Sequence, residues 1–81
     1  MKFTFTERGL RYYQSLPTKL QARVDKQLAL LLRNLRHPSL RAKKYDEARD
    51  IWQARITKNY RFFFRIEDDT YKIVYITSHP K

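Results

Sequence analysis

The second half of the chain alternates between apolar and polar positions. From Ile51 to Ile56, Tyr60 to Glu67 and Thr70 to Ser78 the runs are rich in β-branched and aromatic residues, and Thr57-Lys58-Asn59 and Asp68-Asp69 separate them. That pattern predicts three strands joined by two hairpins, an antiparallel meander. Successive side chains of a strand project to opposite faces. Trp52, Ala54 and Ile56 therefore form one row, Tyr60, Phe62, Phe64 and Ile66 the next, and Tyr71, Ile73 and Tyr75 a third, together the expected core face. For the first two rows to share that face, Ile56 must stand opposite Tyr60 across a three-residue loop. A two-residue loop would set Tyr60 against Thr57 and turn the aromatic row over, so the three-residue loop is expected. The other face then carries Gln53, Arg55, Arg61, Phe63, Arg65, Lys72, Val74, Ile76 and Ser78.

The first half supplies what covers the core face. Lys2-Phe3-Thr4-Phe5 alternates and reads as a short strand. Glu7 to Ser15 reads as a short helix with Leu10, Tyr13 and Leu16 as its buried stripe, although Gly9 weakens a helix by about 1 kcal/mol relative to alanine. Pro17 breaks the chain, and Thr18 with Gln21 matches a capping box that opens a second helix. Leu20, Val24, Leu28, Leu31, Leu32 and Leu35 recur at helical spacing and require a flat apolar partner, which the sheet provides. His37-Pro38 ends this helix, and Ser39 to Arg49, without clear periodicity, reads as a basic loop carrying Arg41, Lys43, Lys44 and Arg49. The expected class is α+β, with two N-terminal helices on a curved antiparallel sheet in the order β-α-α-β-β-β.

Eighty-one residues allow one small domain, so its twelve aromatic residues carry much of the core. There is no cysteine, which removes a disulfide framework and any thiolate metal site, and two histidines alone make a poor metal site. No apolar run reaches membrane-spanning length, and Met1-Lys2 leads into an alternating strand and not into a signal sequence. A soluble, cytoplasmic protein without a cofactor is the expectation.

The formal net charge is +10. A basic surface can simply keep a protein soluble. Here the cations gather on one sheet face and in the adjoining loop, the footprint expected for a nucleic-acid backbone. Arg55 is expected to stand across from Arg61, and like charges directly opposed destabilise a sheet unless an anion or solvent screens them. Phe63 on that face has two readings, a platform for an unpaired base or a small apolar cluster with Val74 and Ile76. Arg61 and His79, on neighbouring strands and both expected to face away from the core, form the constellation best suited to handling phosphate.

The stretch from Asp50 through Trp52, Arg55, Thr57-Lys58-Asn59, Tyr60-Arg61, Phe62-Phe63-Phe64-Arg65 and Glu67-Asp68-Asp69, followed by an apolar strand and Ser78-His79, resembles the RelE/ParE superfamily of toxins from toxin–antitoxin systems. It is most similar to the YoeB-like and RelE-like mRNA interferases, and the resemblance extends over residues 1–81 as a single RelE-like toxin domain. It implies a ribosome-dependent mRNA endoribonuclease that inhibits translation, works without metal, acts on mRNA in the ribosomal decoding site and is held inactive by a cognate antitoxin protein. By this resemblance Arg61 matches a phosphate-binding arginine, His79 a general acid or base, and Arg55 a basic strand position. Lys43 and Lys44 lie in the loop that in relatives supplies a further lysine or a carboxylate. Gln53, Phe63, Arg65, Lys72 and Lys81 complete the expected RNA-binding surface. Pro80 stands where relatives carry a tyrosine.

Those residue types suit the chemistry. Attack of a ribose 2′-hydroxyl on the adjacent phosphate needs a base, an acid for the leaving 5′-oxygen, and positive groups aimed at the charge on phosphorus. His79 can titrate near neutral pH, while Arg55 and Arg61 stay cationic and can grip phosphate oxygens in a fork. Two other readings share the scaffold or the charge: a ParE-like DNA gyrase inhibitor, and a non-catalytic RNA-binding module.

Overall fold

The computed structural model describes residues 1–78. Its elements are β1 (Lys2–Phe5), α1 (Glu7–Gln14), α2 (Thr18–Arg33), β2 (Lys43–Asp46), β3 (Ile51–Thr57), β4 (Tyr60–Glu67) and β5 (Thr70–Ser78). The α+β class and the order of the anticipated elements stand. The sheet is one strand larger than expected, because Lys43–Asp46 of the basic segment pairs antiparallel with β3 as a short, charged edge strand. The strand order is β1-β5-β4-β3-β2, with β1 parallel to β5 and the other pairings antiparallel.

Three bulges set which side chains face the core. In β3, Arg55 pairs with Arg61 and Thr57 with Tyr60, so the turn is the two-residue Lys58-Asn59 and the extra residue is Ile56. The bulge absorbs the parity change that a shorter loop would have caused, so Ala54, Ile56 and Phe62 all remain buried. In β5, Phe63 pairs with Tyr75 and Phe64 with Ile73, leaving Val74 as the extra residue. Beyond it the alternation is inverted. Ile76 is 3% exposed and belongs to the core, whereas Tyr75 shares the outer face with Phe63, the reverse of strict alternation. The third bulge, at Tyr45 in β2, turns that ring onto Phe63.

α2 covers the core face, with Val24, Leu28 and Leu31 packed in one cluster with Ala54, Phe62, Phe64, Tyr71, Ile73 and Ile76. Leu32, expected in the stripe, lies on its exposed margin. The capping box does not form: Pro17 holds the N-cap position without a side-chain bond, and Gln21 Nε2 donates to Tyr13 O (3.0 Å), tying α2 to the end of α1. The side-chain cap is on α1, where Thr6 Oγ1 accepts from Gly9 N at 3.0 Å. Leu10 is largely exposed, and Gly9 is the buried residue of α1. A Cβ on Gly9 would lie 2.1 Å from the Ile73 carbonyl oxygen, so the missing side chain lets α1 touch the backbone of β5.

Two residues outside the apolar stripe lock the helix to the sheet. Leu40 is fully buried and its carbonyl accepts from Arg55 N at 2.7 Å. Gln27 is 4% exposed, and its Nε2 donates to Arg55 O (2.8 Å), Ser39 O (3.3 Å) and Ser39 Oγ (3.3 Å). Gln27→Ala removes the donor while leaving those acceptors in place, a loss of about 1–3 kcal/mol. Urea unfolding of the variant should show the lower midpoint.

Candidate nucleic-acid interface

No helix covers the central part of the outer sheet face. Its middle is an aromatic ridge: Tyr45 meets Phe63 with centroids 4.8 Å apart, Phe63 meets Tyr75 at 5.8 Å, and Tyr75 meets Tyr12 of α1 at 4.7 Å. Phe63 is thus part of a ring series, not of a cluster with Ile76. Arg8 stacks over the Tyr75 ring at 5.3 Å. Tyr45, Tyr75 and Arg8 were not anticipated. Strict alternation puts Tyr75 in the core, and Tyr45 lies in a segment without periodicity.

On one side of the ridge lies a hollow of about 440 Å³ lined by Lys43, Lys44, Tyr45, Gln53, Arg61, Phe63, Tyr75 and Thr77. Arg61 is positioned by β4 and fixed by its own turn, its Nη1 donating to Thr57 O (3.0 Å) and Tyr60 O (3.1 Å). Those bonds orient the guanidinium while neutralising none of its charge. No carboxylate pairs with it among the described residues. Burial, then the neighbouring Arg55 and Arg41 guanidiniums, lower its pKa below the ordinary arginine value. An arginine held by carbonyls and crowded by like charges is poised to gain from an anion.

Arg55 is paired with Arg61 across the strands as expected, yet it lines a different hollow, together with Arg23, Lys26, Arg41 and Lys58. The two lysines of β2 also part. Lys43 pairs with Gln53, whereas Lys44 pairs with Trp52, stacks on its ring at 5.2 Å and forms ion pairs with Asp50 and Glu47. Its hydrogen bond to Asp50 raises the Lys44 pKa. Asp46 likewise binds Arg49 through the backbone N (3.1 Å) and Nε (3.8 Å). Lys43→Ala should therefore weaken binding to a short single-stranded RNA more than Lys44→Ala, by about one phosphate contact in the salt dependence. Filter binding at several salt concentrations measures it.

Arg65 lies across the ridge, in a hollow of about 420 Å³ with Arg8, Arg49 and the same three rings. Lys72 is apart from all of these: it pairs with Glu67 at 3.1 Å, near β1. His79 and Lys81 lie outside the described residues. The structure thus brings Arg61, Lys43, Gln53 and Phe63 together, sets Arg55 and Arg65 in adjoining hollows, and places Lys72 elsewhere. What the central hollow can do chemically is hold a phosphodiester against Arg61 and Lys43 with a base on the ridge.

No family model and no curated protein matches the sequence. Solved structures do. The chain superposes on a YoeB/ParE toxin from Agrobacterium tumefaciens with a TM-score of 0.81 at 16% identity, over 99% of this chain and 100% of that one. A YoeB dimer from Staphylococcus aureus gives 0.78 at 19% identity, over 99% and 98%. The RelBE2 toxin–antitoxin complex of Mycobacterium tuberculosis gives 0.76 at 24%, over 96% of each chain. The fold is that of the RelE/ParE toxins, as the sequence resemblance implied.

Proposed function

We propose that this chain is the toxin of a toxin–antitoxin pair and acts as an endoribonuclease on mRNA in the ribosomal decoding site, so arresting translation in the cytoplasm. The observation that carries the reading is Arg61: turn-anchored, without a counter-ion among the described residues, and lining one hollow with Lys43 and the rings of the aromatic ridge. A phosphate seated there would relieve the repulsion between Arg55 and Arg61. As the 2′-oxygen attacks, charge accumulates on the phosphate oxygens, and the guanidinium and Lys43 ammonium stabilise it without a metal. Proton transfer is assigned to His79, whose imidazole can serve as acid or base near neutral pH. The ridge would hold the flanking base by stacking, which fixes the attacking hydroxyl.

An antitoxin partner belongs to the same proposal, supported by the RelBE2 neighbour, which is a toxin–antitoxin complex. An acidic, partly disordered segment folding over the basic face would neutralise it. The test is to translate a defined mRNA with purified ribosomes and the chain, map new 5′ ends by primer extension, and run a DNA gyrase supercoiling assay in parallel. Cuts within the open frame with unimpaired supercoiling support the reading. Intact mRNA with blocked supercoiling replaces it with gyrase inhibition.

A further inference from the structure

The second hollow, about 280 Å³ between α2, the turn before β2 and the β3–β4 turn, has an unusual wall. Arg23, Lys26, Arg41, Arg55 and Lys58 line it, with Gln27, Ser39 and Thr57, and no carboxylate is among the lining residues. Five cations converging without a counter-charge repel one another, and such an arrangement lowers in energy when an anion enters. The floor is preorganised: Gln27, nearly fully buried, holds Ser39 and the Arg55 carbonyl by the bonds described above, so the polar base of the hollow does not have to be assembled on binding. Arg41 sits at the rim with φ of 47°, a backbone conformation that turns the chain sharply between Leu40 and β2.

We infer that this hollow binds a phosphodiester of the RNA at a second point, away from the Arg61 hollow, so that one strand or a fold of RNA is held at both. Arg55 joins the two sites, since it lines this hollow and pairs with Arg61 across β3 and β4. Arg55 is then a binding residue of the second site that raises the electropositive field at the first, and not a group in contact with the reacting phosphate. The size and polarity of the hollow suit a backbone phosphate and not a stacked base: its lining holds no aromatic ring, in contrast to the hollows on either side of the ridge. The inference rests on the RNA reading for its ligand and is independent of cleavage.

The experiment compares the wild-type chain, the double variant Arg23→Ala/Lys26→Ala, and a charge-matched control, Lys2→Ala/Arg11→Ala, whose residues do not line this hollow. All four side chains belong to exposed residues, so the core is untouched. Affinity for a short single-stranded oligoribonucleotide is measured against salt concentration, with inorganic phosphate as a second ligand. The expected result is that Arg23→Ala/Lys26→Ala loses about tenfold or more at low salt and flattens the slope of log affinity against log salt by about 1.4, two phosphate contacts for a single strand. The control should lose little, and phosphate alone should bind far more weakly than the oligonucleotide. Equal losses in the two double variants overturn the inference, as does free phosphate filling the hollow as tightly as the oligonucleotide. Wild-type chain that binds no RNA overturns both this inference and the proposed function. Normal wild-type binding with equal losses overturns this inference alone.

Discussion

Arg61→Ala should lower ribosome-dependent mRNA cleavage by about 10²–10³-fold, the loss typical when one preorganised donor to a developing oxyanion is removed. β3 and β4 set Arg61 directly against Arg55, an arrangement that weakens the sheet in the free protein. Side chains retained at a cost to stability are informative, because removing one should harm function while leaving the fold intact. The melting temperature of Arg61→Ala is therefore expected to change little, because relief of the repulsion with Arg55 offsets the two lost bonds to Thr57 O and Tyr60 O. Arg61→Lys keeps the charge and loses the fork geometry and the anchoring to Thr57 O and Tyr60 O, so it should be intermediate. A stable Arg61→Ala protein with full cleavage would remove this hollow as the site.

Gly9→Ala is expected to have the largest effect on stability of any single methyl addition in the chain. Alanine is the better helix former by about 1 kcal/mol, so local propensity alone would have the variant more stable. The tertiary contact reverses the sign. The added carbon would meet the Ile73 carbonyl at 2.1 Å, and a backbone oxygen inside a sheet cannot rotate aside as a side chain would. α1 must withdraw from β5, loosening the bonds from Thr6 N (3.0 Å) and Thr6 Oγ1 (3.3 Å) to Ile73 O and the contact of Tyr12 with Tyr75. The expected loss is about 3 kcal/mol or more, at the upper end for overpacking. For a domain of this size that lowers the melting temperature by about 12 °C or more. Calorimetry decides it, and a variant as stable as wild type would show that α1 can pack on β5 without the close approach.

The boundaries of the three main strands and of α1 were legible in the sequence almost to the residue, because alternation and turn residues speak locally. The bulges were not. Nothing at Tyr45, Ile56 or Val74 marks an extra residue, since bulges answer to the curvature of the whole sheet and not to local propensity. That is why Tyr75 and Ile76 exchange faces, and why the aromatic ridge beside Arg61 could not be read in full. Edge strand β2 escaped for a related reason: Lys43-Lys44-Tyr45-Asp46 has no alternation to detect, and its charges are what keep an edge soluble. Gln27 could have been found, since it lies three residues after Val24 and four before Leu31 on the buried stripe. Gly9, the chain's lone glycine and set within a helix, also carried a signal. Arg61 and Arg55 were correctly opposed from sequence. Their separation into two hollows needed the positions of α2 and the Leu40 turn.

The most direct test of the Arg61 hollow is side-chain NMR of the ¹⁵N-labelled chain titrated with an oligoribonucleotide that carries a single 2′-deoxy residue, which blocks attack while leaving the phosphate in place. Saturable shifts of the Arg61 Nε–H, together with the amides of Lys43, Gln53 and Phe63, are the expected outcome. Shifts confined to β1 and α1, with the Arg61 resonance unmoved at saturation, would contradict it.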